Sequence, residues 1–289
     1  MPFKLLTYCL LYLICFSSFA QVEGTEFKKA LISKKAEFHY YYSEGPGFTE
    51  LSHGRMVGIC VDIMADFEFF LLDKYGIYVE IVHHNETYLD LPSFFEKVKN
   101  SKFSVFGVSN ITLSEERQEK YHFSPPFIRN YAVLITNDQV AELNTLDSIA
   151  FEFKNIKAIT VPGTTNHQQI LSIKEKYYPT LEIEFLNNFD TLMQVINEHT
   201  NYFSTVDMAY LINAQKNALH VKDHPAGIQK ADELAILLPF ETDWDIALRK
   251  FLTKEYLNSM SYRKIITKYL GWESLVWLDE MNALYGAFE

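Results

Sequence analysis

Strand and helix patterns alternate in the same order in both halves of this chain, which constrains its fold more than any other feature. Residues 38–42 are aromatic enough to favour a strand, the apolar run that follows predicts a helix ending near Gly76, and residues 78–82 predict the next strand. Another strand is predicted at 105–108. A strand, a helix and a strand in this order predict a parallel βαβ unit and hence an α/β fold.

The second half repeats this plan. Predicted strands and helices alternate in the ranges 158–161, 167–177, 181–186, 190–198, 203–206 and 208–216. Two similar halves imply a cleft between them. A chain of 289 residues with 48% hydrophobic content can bury the cores of one or two such domains.

Residues 109–127 carry the strongest sign of a binding site. Asn110, Thr112 and Ser114 stand at every second position, so an extended chain points all three side chains to one side. Arg117 follows three residues later, and its planar guanidinium matches a carboxylate while hydroxyl groups add single donors. The alternative is a turn with an exposed arginine at the start of a glutamate-rich helix, since surface arginine is commoner than ligand arginine.

Two further motifs each admit a binding interpretation beside a structural one. In the sequence VPGTTN at 161–166, glycine and hydroxyl residues lie between a predicted strand and a helix. Free backbone N–H groups and the positive end of the helix dipole would form an anion site there, although an ordinary threonine N-cap is the alternative. Asp207 follows a predicted strand and begins a helix, so an N-cap role is open for it as well.

The motif around Arg117 resembles the signature of the family 3 extracellular solute-binding proteins, the amino-acid receptors of ABC importers. That signature runs N-x-T-x-[ST]-x-E-R and then F-S-x-P-[FY], and the matching residues here are Asn110, Thr112, Ser114, Glu116, Arg117, Phe123, Ser124, Pro126 and Phe127. The sequence from Gly58 to Asp62 is similar to the family's G-x-x-V-D element. The resemblance implies a two-lobed periplasmic-binding-protein-like fold of type II, in which each lobe is a mixed sheet flanked by helices and a ligand cleft lies between them.

The resemblance also implies where the lobes divide and which residues bind the ligand. Lobe 1 is expected to comprise residues 36–132 and 233–289 and lobe 2 residues 133–232, with residues 1–20 as a signal peptide. The chain is expected to cross at 131–136 and to return along a crossing strand at 234–239. The implied ligand-binding residues are Arg117, Thr112, Asn110, Thr165, Thr164, Asp207, Tyr42 and Phe48.

Each of these residues has an implied role. Arg117 is expected to bind the carboxylate of an amino acid, with Thr165 and then Thr164 covering that carboxylate from the second lobe. Asp207 would receive the α-ammonium group, so only a closed form makes both charged contacts. The aromatic residues expected to cover the ligand side chain are Tyr42, with Tyr41 as the alternative, and Phe48.

The function that the resemblance implies is capture of a small polar molecule, an amino acid first of all, by lobe closure for an ABC importer. The expected partners are that ligand and an inner-membrane permease, and the expected state is a monomer without cofactor, metal or catalytic residue. One alternative is an orphan sensory or accessory protein, because the turns at 100–104 and 199–202 lack the aspartate usual in the family. The other is a cyclohexadienyl-dehydratase-like enzyme, which would need a general acid that no motif singles out.

Charge and the remaining reactive residues argue against other classes. The net charge of −11 disfavours nucleic acid as a partner. His83 and His84 are adjacent and would point to opposite faces of a strand, so they predict no metal site. Cys60 stands in an apolar run and is expected to be a small buried hydrophobe rather than a catalytic thiol.

The first twenty residues resemble a cleaved secretory signal. Lys4 precedes an apolar run at 5–16, and Ser18 and Ala20 supply the small residues that a signal peptidase reads. The run is short for a bilayer span, although an uncleaved anchor is the alternative. A periplasmic location is therefore expected.

We expect the mature protein to begin at about Gln21, because Ser18 and Ala20 mark the cleavage site. N-terminal sequencing of exported protein is the measurement. Exported material that still began at Met1 would contradict the signal interpretation.

Overall fold

The structure, a computed structural model, describes residues 21–84, 90–227, 232–272, 274–276 and 278–279. The expected signal peptide at 1–20 lies outside the described residues, as does most of the segment after residue 272. None of the helices in the described part of the chain combines the length and the apolar content that a bilayer crossing needs.

The elements fall into three consecutive groups. The first group is α1 (Phe27–Ser33), β1 (Lys35–Tyr42), β2 (Glu50–Ser52), β3 (Arg55–Val57), α2 (Ile59–Tyr75), β4 (Tyr78–His84), α3 (Leu91–Lys99), β5 (Val105–Thr112), α4 (Glu115–Lys120), β6 (His122–Phe123) and β7 (Ile128–Asn130). The second group is β8 (Ala132–Asn137), α5 (Ile149–Glu152), β9 (Lys157–Thr160), α6 (Thr165–Lys176), β10 (Ile183–Phe185), α7 (Phe189–Glu198), β11 (Tyr202–Asp207), α8 (Met208–Lys216) and β12 (Val221–Asp223). The third group is β13 (Asp232–Leu238), α9 (Asp245–Phe251), α10 (Lys254–Leu257) and α11 (Met260–Leu270).

Most of these strands form two mixed sheets, each of which defines a lobe, while β2 and β3 pair in a separate two-stranded sheet. The sheet of lobe 1 has the order β4-β1-β5-β13-β6, with β7 also paired to β13. The sheet of lobe 2 has the order β10-β9-β11-β8-β12. In lobe 1, β1 is parallel to β4 and β5 while β13 is antiparallel; in lobe 2, β9 is parallel to β10 and β11 while β8 is antiparallel. The expected α/β fold with two mixed sheets is confirmed.

An aromatic cluster fills the core of lobe 1. The ring of Phe38 on β1 lies 4.8 Å from the ring of Phe106 on β5 and 4.7 Å from that of Trp244, just before α9. The indole N–H of Trp244 donates a hydrogen bond to the carbonyl oxygen of Thr25 at 2.7 Å. The third group of elements therefore completes the core of the first, since large aromatic side chains dominate the apolar area that such a core buries.

Lobe 2 buries apolar side chains on both faces of its sheet. On β8, Val133 and Ile135 point into one core with Leu192 of α7, whereas Leu134 points into the other with Ile170 of α6. This alternation follows from the two-residue period of a strand. Helices therefore cover both faces, as parallel-rich sheets require.

The chain passes from lobe 1 to lobe 2 at Tyr131, because β7 pairs in the first sheet and β8 pairs in the second. The expectation of a crossing strand at 234–239 is wrong. Leu234 and Ala235 are paired with Thr112 and Ile111 inside the sheet of lobe 1. The apolar run in this segment reflects a central strand that is buried on both faces, and β13 lies in the sheet of lobe 1 from its first residue.

Gly58 adopts a backbone conformation that a side chain would strain. Its φ is +135°, and a Cβ atom there would lie 2.2 Å from the carbonyl oxygen of Phe48, which is a backbone atom that cannot swing away. We expect Gly58→Ala to lower the free energy of unfolding by about 2 to 4 kcal/mol in urea denaturation, because it adds a clash to an unfavourable φ.

Gly76 provides the matched control. It follows the last residue of α2 with a φ of +66°, and a Cβ atom there would meet nothing within 4 Å in the described part of the chain. Gly76→Ala should cost only about 1 kcal/mol, the usual penalty for a side chain at a left-handed glycine. Equal losses for the two variants would show that the Phe48 contact does not constrain the turn.

Candidate functional site

A cleft of about 690 Å³ lies between the two sheets. Its lobe 1 wall follows the carboxyl ends of β1 and β5, and its lobe 2 wall follows the carboxyl ends of β9, β10 and β11. Open α/β sheets bind ligands at this end of their parallel strands. The volume falls within the range of small-molecule sites, roughly 300 to 1,000 Å³.

Arg117 lines the cleft from lobe 1 and is held there by its neighbours. The hydroxyl of Ser114 caps α4 by accepting a hydrogen bond from the Arg117 amide at 3.3 Å. Nη1 of Arg117 donates to the carbonyl oxygen of Thr112 at 3.1 Å, and its Cζ lies 5.2 Å from the centre of the Phe95 ring. These contacts fix the guanidinium beside the end of β5, where Asn110 and Thr112 also line the cleft.

Asp207 lines the cleft from lobe 2, and the N-cap interpretation of it is wrong. Its side chain makes no capping hydrogen bond to α8 within the described residues. Its two carboxylate oxygens instead accept hydrogen bonds from the side-chain amides of Asn110 and Asn166, each at 3.4 Å. Because Asn110 belongs to lobe 1, one of these contacts joins the lobes.

The two threonines of the 161–166 motif have different roles. The Thr164 hydroxyl accepts a hydrogen bond from the His167 amide at 3.1 Å and donates one to the Val161 carbonyl oxygen at 2.7 Å. It is therefore the N-cap of α6, as the structural interpretation of the motif held. Thr164 also lines the cleft, together with Thr165, the first residue of α6.

Tyr42 and Phe48 do not line the cleft, and the expectation that they cover a ligand is wrong. Tyr42 is 1% exposed, and its hydroxyl forms a hydrogen bond with Nδ1 of His83 at 2.6 Å. Phe48 is 2% exposed and packs in the same apolar core. The alternative, Tyr41, stacks on His84 at 4.2 Å and is buried as well.

The reason lies in the position of β1. This strand is paired on both edges, with β4 and β5, and apolar clusters cover both of its faces, so its aromatic side chains fill cores. The cleft is lined instead by the loop that follows, with Ser43, Glu44 and Pro46.

The aromatic part of the lobe 2 wall, with the acid beside it, was not predicted from the sequence. Phe189 and Tyr210 line the cleft with their rings 4.7 Å apart, and Asp190 stands beside them. Phe189 and Asp190 begin α7, directly after the strand β10. The signal that points to them is topological, because the loop after every parallel strand of a sheet reaches the same edge.

Carboxylates dominate the charge of the cleft. Within the described residues, its lining contains one cation, Arg117, and the carboxylates Glu44, Glu50, Asp90, Asp190 and Asp207. Partial desolvation raises the pKa of Glu44, and repulsion from Asp190 and Glu50 raises it further. Burial raises the pKa of Tyr210 well above its usual value, with added contributions from Asp207, Asp190 and Glu44.

The described residues contain no group of three His, Cys, Asp or Glu side chains placed to hold a metal ion. His220 and His224 are four residues apart, but they flank β12 instead of sharing a helix face. The buried His224 ring bonds to the Thr136 hydroxyl at 2.7 Å and accepts from the Leu143 amide at 2.9 Å. Burial lowers the pKa of His224 to about 4, so the ring is neutral.

No family model matches this sequence, and no curated protein matches it. Solved structures do match its fold. A putative binding component of an ABC transporter from Wolinella succinogenes DSM 1740, complexed with lysine, has a TM-score of 0.65 at 14% identity over 81% of this chain and 95% of that one. The ligand-binding core of GluR0 from Nostoc punctiforme, in complex with L-glutamate, has a TM-score of 0.62 at 13% identity over 81% and 99%.

A third similar structure is the ancestral amino-acid-binding protein AncCDT-1, a precursor of cyclohexadienyl dehydratase. Its TM-score is 0.62 at 15% identity, over 84% of this chain and 98% of that one. Sequence identities as low as these show that the fold is shared and nothing about the ligand or the activity. The chain therefore has the two-lobed fold of periplasmic binding proteins, as the sequence predicted.

Thr164→Ala should lower the free energy of unfolding by about 1 kcal/mol, because it removes the N-cap of α6. Thr164→Ser keeps the hydroxyl and should lose little. Urea denaturation measures both, with Thr165→Ala as the matched control one residue further on. A Thr164→Ala protein as stable as the wild type would contradict the capping role.

Proposed function

We propose that this protein is a solute-binding protein that captures an amino acid between its lobes. The observation that carries the proposal is the placement of Arg117 and Asp207 in one cleft but on different lobes. A guanidinium and a carboxylate separated in this way match the two charged ends of a zwitterion.

At the carboxylate end, Arg117 supplies the planar fork and Thr112 lies beside it on β5. Thr165 begins α6 on the facing wall, where backbone N–H groups and the helix dipole favour a negative charge. Each lobe thus contributes to the same ligand group.

At the ammonium end, Asp207 is the acceptor. Its contacts with the amides of Asn110 and Asn166 are long, at 3.4 Å each. A ligand ammonium would form shorter, charge-assisted hydrogen bonds with the carboxylate, and these are stronger than bonds from neutral amides. Ligand binding would therefore strengthen what is a weak polar contact between the lobes.

Closure follows from this sharing of the ligand. We propose lobe boundaries at 36–132 with 233–289 and at 133–232, so that the lobes hinge near Tyr131. Only a closed form lets both lobes contact one ligand, and a ligand stabilises a conformation by its difference in affinity for the two forms. A monomer in the periplasm that delivers its ligand to an ABC permease is the setting that we propose.

Catalysis is the alternative, since one protein of this fold is a precursor of a dehydratase. An enzyme of that kind needs a general acid in the cleft. Glu44 is a candidate because its pKa is raised, but its side chain is exposed to water. Binding is preferred because Arg117 and Asp207 account for both ends of an amino acid without a reaction; product formed from a cyclohexadienyl acid would reverse this preference.

Arg117→Ala tests the proposal once a thermal-shift screen of the amino acids has found a ligand. A ligand at 100 times its Kd should add about 2.7 kcal/mol of stability. Removing one partner of a desolvated charge pair costs about 2 to 5 kcal/mol, which is roughly a thirtyfold to several-thousandfold loss of affinity. Arg117→Lys should also bind poorly, because a point charge does not reproduce the fork.

Calorimetry measures the affinity, and the melting temperature of the ligand-free protein is followed alongside. Arg249→Ala is the control, because it removes the same charge from an exposed side chain on α9. Unchanged affinity with a normal melt would remove Arg117 from the site. A collapsed melt in the absence of ligand would make Arg117 a structural residue.

A further inference from the structure

We propose that the ligand carries a second positive charge, on its side chain, and that Glu44 of lobe 1 and Asp190 of lobe 2 hold this charge beside Tyr210. The inference rests on the proposed function and names the class of amino acid that the cleft accepts. It predicts a lysine-like or arginine-like ligand.

Three of the five carboxylates that line the cleft have a hydrogen-bond partner. Glu50 accepts a hydrogen bond from the Gly47 amide. Asp90 caps α3 by accepting bonds from the Ser93 amide at 2.9 Å and from the Ser93 hydroxyl at 2.8 Å. Asp207 is assigned to the α-ammonium group of the ligand.

Glu44 and Asp190 remain. Neither makes an ion pair or a side-chain hydrogen bond with any of the residues that the structure describes. They come from different lobes, since Glu44 follows β1 and Asp190 lies in the first turn of α7. Both line the cleft, and the repulsion that helps to raise the pKa of Glu44 comes first from Asp190. Two like charges thus face each other across the cleft.

Tyr210 is the independent observation that points to a ligand at this place. The side chain is only 8% exposed and lines the cleft, yet its hydroxyl has no hydrogen-bond partner among the described residues. The body of the side chain is enclosed while the hydroxyl opens onto the cleft, so a donor on a ligand is a partner that the hydroxyl can take there. Its lone pairs can accept a hydrogen bond from the N–H of a cation.

The surroundings of that hydroxyl favour a cation over other donors. Asp207, Asp190 and Glu44 all act electrostatically on Tyr210. The ring of Phe189 lies 4.7 Å from that of Tyr210 and adds an aromatic wall, which attracts ammonium and guanidinium groups. Glu44 and Asp190 are exposed to water, and the half-buried Phe189 and the buried Tyr210 beside them distinguish this place from an acidic surface alone.

The same arrangement disfavours other side chains. Closure of the lobes on a ligand would bring Glu44 and Asp190 closer together, and a neutral ligand would leave their repulsion in place. An anionic ligand adds a third negative charge. Only a cationic side chain removes the repulsion, so charge decides which ligand closes the lobes.

Calorimetry with L-lysine, L-glutamine and L-glutamate tests the inference. We expect lysine to bind about tenfold more tightly than glutamine, a difference of about 1.4 kcal/mol, and glutamate to bind most weakly. Glu44→Gln and Asp190→Asn should each lower the lysine-to-glutamine affinity ratio about two- to tenfold, the range for partly exposed charge pairs. Tyr210→Phe should weaken lysine binding without changing the charge of the cleft.

Glu198→Gln is the matched control, because it removes one carboxylate from the exposed far end of α7, the helix that carries Asp190. It should leave the affinity ratio unchanged. Glutamine binding as tightly as lysine, with a loss on Arg117→Ala, would overturn the cationic inference and keep the proposed function.

Cadaverine, the diamine that lysine would become without its carboxylate, separates the two proposals further. If it binds as tightly as lysine, Arg117 does not bind a carboxylate, so the amino-acid proposal fails while the cationic inference holds. If no amino acid and no diamine binds, both proposals are overturned.

Discussion

The pairing of β13 with β5 is the interaction on which the rest of the structure depends. It brings Ala235 opposite Ile111, and beyond it the Leu113 amide donates to the Glu233 carbonyl oxygen at 2.7 Å. This pairing places the chain back in the sheet of lobe 1 after its sequence has passed through lobe 2. It also fixes the end of β5, from which the turn to α4 presents Arg117 to the cleft. The two-lobed shape and the position of Arg117, the proposed carboxylate-binding residue, therefore depend on one long-range contact.

The contacts between the two walls of the cleft are weak. The Asn110 amide reaches Asp207 across the lobes at 3.4 Å, and the carboxylates of Glu44 and Asp190 line the two walls with like charge. Under the proposed function, such an interface would let a ligand, and not contacts of the protein itself, stabilise the closed form. The solved structures of this fold carry lysine and L-glutamate, so the fold leaves the choice of ligand to the side chains of the cleft.

The elements and the motifs of the site were predictable from sequence to different degrees. The helix that ends at Gly76 and the strands of the βαβ units were predicted because periodicity and capping act over a few residues. The N-cap alternative could be stated for both Thr164 and Asp207, but it holds only for Thr164. A cap depends on where one side chain turns, and at Asp207 the amides of Asn110 and Asn166 compete for the carboxylate.

By itself the sequence determined the α/β class and the two similar halves, and it predicted a site near Arg117, because each of these depends on residues that are neighbours in the chain. Only the tertiary structure decided that Tyr42 lies inside a sheet and not over a ligand, since burial of β1 depends on its pairing with both β4 and β5. It alone also brought Glu44, Asp190 and Tyr210 together. These residues come from three separate elements in two lobes, and no local pattern encodes the distances between elements that are set by packing.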